Sequence, residues 1–169
     1  MRTWSAVGRV MRPRGVVRRW PLSAPASTRI TLSPSGRGQG EGRRSRGAPS
    51  ATFVEQDGAA LRALRDNVER LGLAARARVV RADAARAVAD LAAGGERFAV
   101  VFLDPPYEAP RAAAALDAVA VGDVLLPGAV VVLQHRTKAP PPPSPGALAL
   151  WKARRFGDTT LTFLIPRVD

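Results

Sequence analysis

Phe98-Ala99-Val100-Val101-Phe102-Leu103-Asp104-Pro105-Pro106-Tyr107 is the stretch on which the fold turns. Its first six residues are uniformly apolar, the profile of a short strand buried on both faces. The acid and the two prolines stop it, because proline has no N–H to give to a ladder. A strand covered on both sides belongs to a mostly parallel sheet flanked by helices, and the neighbouring sequence supplies the remaining parts.

Towards the N-terminus, residues 51–54 form a short apolar run ending in Glu55-Gln56-Asp57. Leu61, Leu64, Val68 and Leu71 then recur at helical spacing, with Gly72 as a stop. Residues 78–80 predict a strand ending near Asp83, and 84–93 a helix closed by Gly94-Gly95. Towards the C-terminus, an alanine-rich helix is expected over 111–121 and a strand over 129–133. A proline-rich loop follows at 140–145, then two closing strands, 148–155 and 159–165, joined at Phe156-Gly157-Asp158. Alternation of strand and helix predicts an α/β fold with helices on both faces of the sheet. Ligands of such sheets sit beyond the carboxyl ends of the strands. Glu55, Asp83 and Asp104 each follow an apolar strand, so the acids gather at that edge.

The chain has 169 residues, enough for one domain with a hydrophobic core. It has no cysteine, which excludes disulfides and thiolate metal sites, and its single histidine, His135, leaves little for zinc or iron, so no metal is expected. No apolar run is long enough to cross a bilayer. The expectation is a soluble cytoplasmic protein with no membrane partner. The net charge is +12, but it is unevenly placed. Residues 1–50 hold 11 Arg against one acid, Glu41, whereas residues 51–169 hold 15 Lys and Arg against 13 acids. Charge alone therefore gives the globular part only weak support for a nucleic-acid partner. Residues 1–45, rich in Arg, Gly, Pro and Ser and without sustained apolar periodicity, are expected to be largely disordered, and 46–169 to form the domain.

The two prolines after Asp104 fix the backbone and leave carbonyls free to accept. An amine attached to a nucleobase is a poor nucleophile, because its lone pair is delocalised into the ring. Two acceptors, the Asp104 carboxylate and the Pro105 carbonyl, can hold its two N–H groups so that the lone pair faces a donor. Tyr107 offers a π-face on which an extruded base can stack. Taken alone, the tetrapeptide suits a rigid loop with an incidental acid equally well; placed after a strand and two other acidic strand ends, it reads as a site. Glu55 has the chemistry to accept from both hydroxyls of a ribose, or it is a solvated loop carboxylate. Asp83, with the Ala84 backbone, can read an adenine edge, or it caps a helix, and the two roles are compatible.

Phe53-Val54-Glu55-Gln56-Asp57, Asn67 to Gly72, Arg78 to Asp83, Val101 to Tyr107 and Arg155-Phe156-Gly157-Asp158-Thr159 together resemble the bacterial 16S ribosomal RNA guanine-N2 methyltransferase family. The match runs in order across nearly all of residues 46–165. A D-P-P-Y box alone also occurs in adenine-N6 methyltransferases, which makes that activity the enzyme alternative; the ordered combination with the final F-G-D-T turn is more specific. The resemblance implies a Rossmann-like S-adenosylmethionine methyltransferase sheet and a guanine amine in small-subunit ribosomal RNA as target, the enzyme acting as a monomer. It implies cofactor binding at Glu55, Gln56, Asp83, Ala84 and Asp104, and catalysis at Asp104, Pro105, Pro106 and Tyr107.

The family's first motif, roughly V-L-D-L-F-A-G-S-G, is not matched. The corresponding stretch is Arg29-Ile30-Thr31-Leu32-Ser33-Pro34-Ser35-Gly36-Arg37-Gly38, which lacks the acid and is interrupted by Pro34. The expectation is a sheet without its first strand and helix, in which 51–54 is the first ordered strand and residues before about Arg46 are missing from the family pattern or out of frame. A transit peptide, an RNA-binding arm and a non-catalytic decayed copy are the other readings of that break.

Overall fold

The computed structural model describes residues 29–33, 48–105, 109–139, 141 and 145–167, the stretches 29–33 and 109–111 as backbone only. The elements are β1 (Arg29–Ser33), β2 (Ala51–Glu55), α1 (Gly58–Arg70), β3 (Ala77–Arg81), α2 (Ala84–Ala93), β4 (Phe98–Asp104), α3 (Ala109–Val121), β5 (Leu125–Arg136), β6 (Leu148–Phe156) and β7 (Thr159–Pro166). They build one seven-stranded sheet in the order β3-β2-β1-β4-β5-β7-β6. β2 pairs with β3 and β4 with β5 in parallel, as βαβ units require. This is a Rossmann-like methyltransferase fold, and β2 to β7 fall where the apolar runs place them.

The centre of the sheet corrects one expectation. The first ordered strand is Arg29–Ser33, not 51–54. It fills the slot between β2 and β4 and runs antiparallel to both, pairing Thr31 with Phe53 and with Phe102. The physical reason lies in the neighbours. Two inner strand edges carry rows of N–H and C=O groups that need partners, and any extended segment of matching length satisfies them. The direction reverses the consequence for the site. β1 delivers its amino end, Arg29, to the edge where β2 and β4 deliver their carboxyl ends. Pro34, Gly36 and Gly38 follow the opposite end of the strand. Apart from 29–33, the segment expected to be disordered lies outside the described residues.

Right-handed crossovers place α2 and α3 on one face of the sheet and α1 on the other. The core lies on the α2–α3 side, where Val88, Leu91, Leu116 and Val119 pack on Val54, Val101, Leu103, Val131, Leu133, Leu148 and Leu164. Gly122 ends α3 against that layer, and a Cβ there would lie 2.5 Å from the Ala118 carbonyl oxygen. On the α1 side the middle of the sheet is more open, and Val100 is 43% exposed.

Candidate active site

Glu55 and Asp83 are each held by backbone N–H groups that closely follow them, and Asp104 by a side chain of the neighbouring strand. Glu55 closes β2 and is only 1% exposed, not the solvated tip that Glu55-Gln56-Asp57 suggests. Its Oε1 accepts from the backbone N–H of Gln56 at 2.9 Å and of Asp57 at 3.0 Å. Asp57 caps α1 by accepting from Ala60 N at 2.7 Å. Gln56 is thereby fixed between a buried carboxylate and a helix cap. Asp83 caps α2, accepting from Ala85 N at 3.0 Å and Arg86 N at 3.3 Å, and remains exposed while Ala84 behind it is buried. The capping role is therefore present, and the exposed carboxylate edge leaves the second role open.

Asp104 closes β4, and its Oδ1 accepts from the Gln134 side-chain amide at 2.9 Å. Gln134 was not singled out from the sequence. Its signal was a polar residue ending the apolar run Val130–Leu133 at the same edge as the acids. Pro105 is buried directly after Asp104. Pro106 and Tyr107 lie outside the described residues.

Register ties Glu55, Asp104 and Gln134 into one row. Glu55 is level with Arg81, Arg29 with Asp104, Gln134 with Leu161, and Leu161 with Arg154. The pairings Ile30–Val54 and Leu103–Leu133 bring Glu55 level with Arg29, and Asp104 with Gln134, one residue further on. The row thus crosses all seven strands on one face. Beside it, His135 Nε2 meets Thr162 Oγ1 at 2.9 Å, and Thr137 anchors the β6–β7 turn through the Gly157 carbonyl at 3.0 Å. Gly157 occupies that turn at φ 61°, a conformation that glycine adopts without strain. A hollow lined by Arg97, Val119, Leu125 and Arg167 lies at the other edge of the sheet, away from the acids. Among the described residues no group of His, Cys, Asp and Glu could hold a metal ion, and no helix is long and apolar enough to cross a membrane.

With the row of acids in place, the relatives can be set beside it. The model of the family described as Conserved hypothetical protein 95 matches residues 42–165. The chain belongs to this family. It is 30% identical over 115 residues to the Bacillus subtilis protein YlbH, provisionally named an rRNA methyltransferase, covering 68% of the chain and 62% of YlbH. A solved hypothetical protein of Thermus thermophilus is 35% identical, with a TM-score of 0.55 over 66% of the chain and 60% of its own length. The Escherichia coli protein yhhF, provisionally named a methyltransferase, shares the fold at 22% identity and a TM-score of 0.60, over 74% of the chain and 67% of its own. The chain therefore spans about three fifths of YlbH and of the Thermus protein. YlbH and yhhF, the two of these relatives named for an activity, are both named methyltransferases.

Proposed function

We propose that the family site in this chain serves S-adenosylmethionine-dependent methyl transfer to the exocyclic N2 amine of a guanine in small-subunit ribosomal RNA, by a cytoplasmic monomer. The observation that carries the reading is the Asp104 carboxylate at the end of β4, clamped by Gln134 and followed by buried Pro105. The Gln134 amide donates to one oxygen of the carboxylate and so helps to orient it. Asp104 and the Pro105 carbonyl then accept from the two N–H groups of the amine and turn its lone pair out of conjugation, an orientation effect rather than acid–base chemistry. The bound cofactor supplies an electrophilic methyl group. Tyr107 is assigned the stacking role for the extruded base.

The nucleoside part of the cofactor suits the residues present, with Glu55 and Gln56 at the ribose and Asp83 and Ala84 at the adenine. Its amino-acid end does not. An acid and a glycine turn would have to leave β1 at the edge that Arg29 occupies, and the reversed strand has its amino end, not its carboxyl end, at that edge. That observation favours a second reading, a copy that holds the base-binding half and binds cofactor weakly.

Incubation of the chain with small ribosomal subunits and radiolabelled S-adenosylmethionine, followed by digestion to nucleosides, separates the two. The full reading expects N2-methylguanosine, with Asp104→Ala lowering the rate roughly 30- to 900-fold, the equivalent of about 2–4 kcal/mol in the barrier. Label in N6-methyladenosine would reassign the target. No label, with activity appearing once a V-L-D-L-F-A-G-S-G segment replaces residues 29–37, would establish the second reading.

A further inference from the structure

We infer that the outer strand β6, with the turn into β7, is a docking surface for single-stranded RNA flanking the target nucleotide; this rests on the function proposed above. β6 is the last strand of the sheet, so one of its backbone edges faces outward. Along it stand Leu150, Trp151, Lys152, Arg154, Arg155 and Phe156. Leu150 is 65% exposed, Trp151 53% and Phe156 55%. Among the described residues, none of the three cations is ion-paired with a carboxylate.

Cations on an outer strand also serve to repel other strands. That need explains Lys152, Arg154 and Arg155, but not two large aromatic rings left in water beside them. Exposed rings at both ends of a cationic stretch suit a partner offering both phosphates and flat bases. Local geometry keeps the Trp151 ring in place. The pairing slips between Leu150 and Lys152, leaving Trp151 as the extra residue of a bulge. Lys152 Nζ lies 3.7 Å from the Trp151 ring centroid, and Phe163 meets Trp151 edge to face at 6.4 Å.

The surface also points the right way. Arg154 is level with Leu161, Leu161 with Gln134, and Gln134 holds Asp104. Phe156 is level with Thr159, and Thr159 with Arg136, two residues further towards the edge where the acids gather. Three interstrand spacings, about 14 Å, separate β6 from β4. A chain that crosses β6 can therefore lead a nucleotide to Asp104.

The test is fluorescence anisotropy with the full chain and a labelled unstructured 12-nucleotide RNA across a salt series. Lys152→Gln/Arg154→Gln/Arg155→Gln is expected to weaken binding and flatten the log K against log salt slope by about 2. Trp151→Ala/Phe156→Ala is expected to weaken it at least about fivefold with little change of slope. Arg62→Gln/Arg65→Gln/Arg70→Gln, on exposed positions of α1, is expected to leave both unchanged. Because residues 1–50 are themselves strongly basic, photo-crosslinking to a 4-thiouridine RNA is read alongside, with adducts expected within 148–167. Hairpin variants that bind like the parent, an equal loss in the α1 variant, or adducts confined to residues before 48 would each overturn the proposal. Hairpin-dependent RNA binding without methyl transfer would leave it standing and remove only the function on which it was built.

Discussion

Replacing Glu55 asks whether a buried carboxylate holds the site together or merely lines it. Its Oε1 takes the N–H groups of Gln56 and Asp57 at 2.9 and 3.0 Å, and Asp57 in turn caps α1. Hydrogen bonds to a charged acceptor are each worth about 1.5–3 kcal/mol. Both donors are half-buried, so water recovers part of what is lost, and the lower end applies. Glu55→Ala should therefore destabilise the protein by roughly 3 kcal/mol, the sum of two such bonds. At about 4 °C per kcal/mol for a domain of this size, Tm should fall by roughly 12 °C. Glu55→Gln keeps an oxygen where Oε1 stands but loses the charge assistance, and should cost about 1 kcal/mol, or roughly 4 °C. Scanning calorimetry of the three proteins decides the matter. An alanine variant melting within about 3 °C of the parent, or a glutamine variant melting as low as the alanine one, would refute the turn-holding role. In the function proposed, Glu55→Gln should also weaken adenosine binding about tenfold while the fold survives, since one of two acceptors becomes a donor.

Gln134→Leu should leave stability within about 1 kcal/mol but lower methyl transfer about tenfold with KM for RNA unchanged, because it removes one hydrogen bond that orients the Asp104 carboxylate; a matching fall in affinity would argue against orientation as the cause. Thr31→Pro removes a ladder N–H from the strand between β2 and β4 and should cost about 1–3 kcal/mol in a urea melt, whereas an unchanged midpoint would mean that β1 does not hold that slot in solution.

Much of the fold is legible because each parallel strand announces itself locally. Phe98–Leu103 is apolar throughout, and Asp57 and Asp83 stand where helices need caps. β1 is not legible for the opposite reason. Arg29–Ser33 carries no distinctive pattern and is bounded by breakers; what makes it a strand is the need of two distant neighbours for partners. The carboxylates were found because acids collect at strand ends, but the burial of Glu55 was not, since Gln56 and Asp57 make its surroundings read as polar. Gln134 escaped because only the register of β4 with β5 shows that it stands beside Asp104.

The width of β1 acts as a gauge. Glu55 and Asp104 sit on the two strands it separates, so two interstrand spacings, about 10 Å, set the gap between the nucleoside side and the base side of the site. That gap is the same whichever way the middle strand runs. Polarity is what the reversal alters: an amino end now stands between two carboxyl ends, and the backbone there arrives at the edge instead of leaving from it. A replacement for the middle strand therefore has to match only a five-residue span to preserve the scaffold, while its direction alone decides whether a turn can be delivered between the two carboxylates.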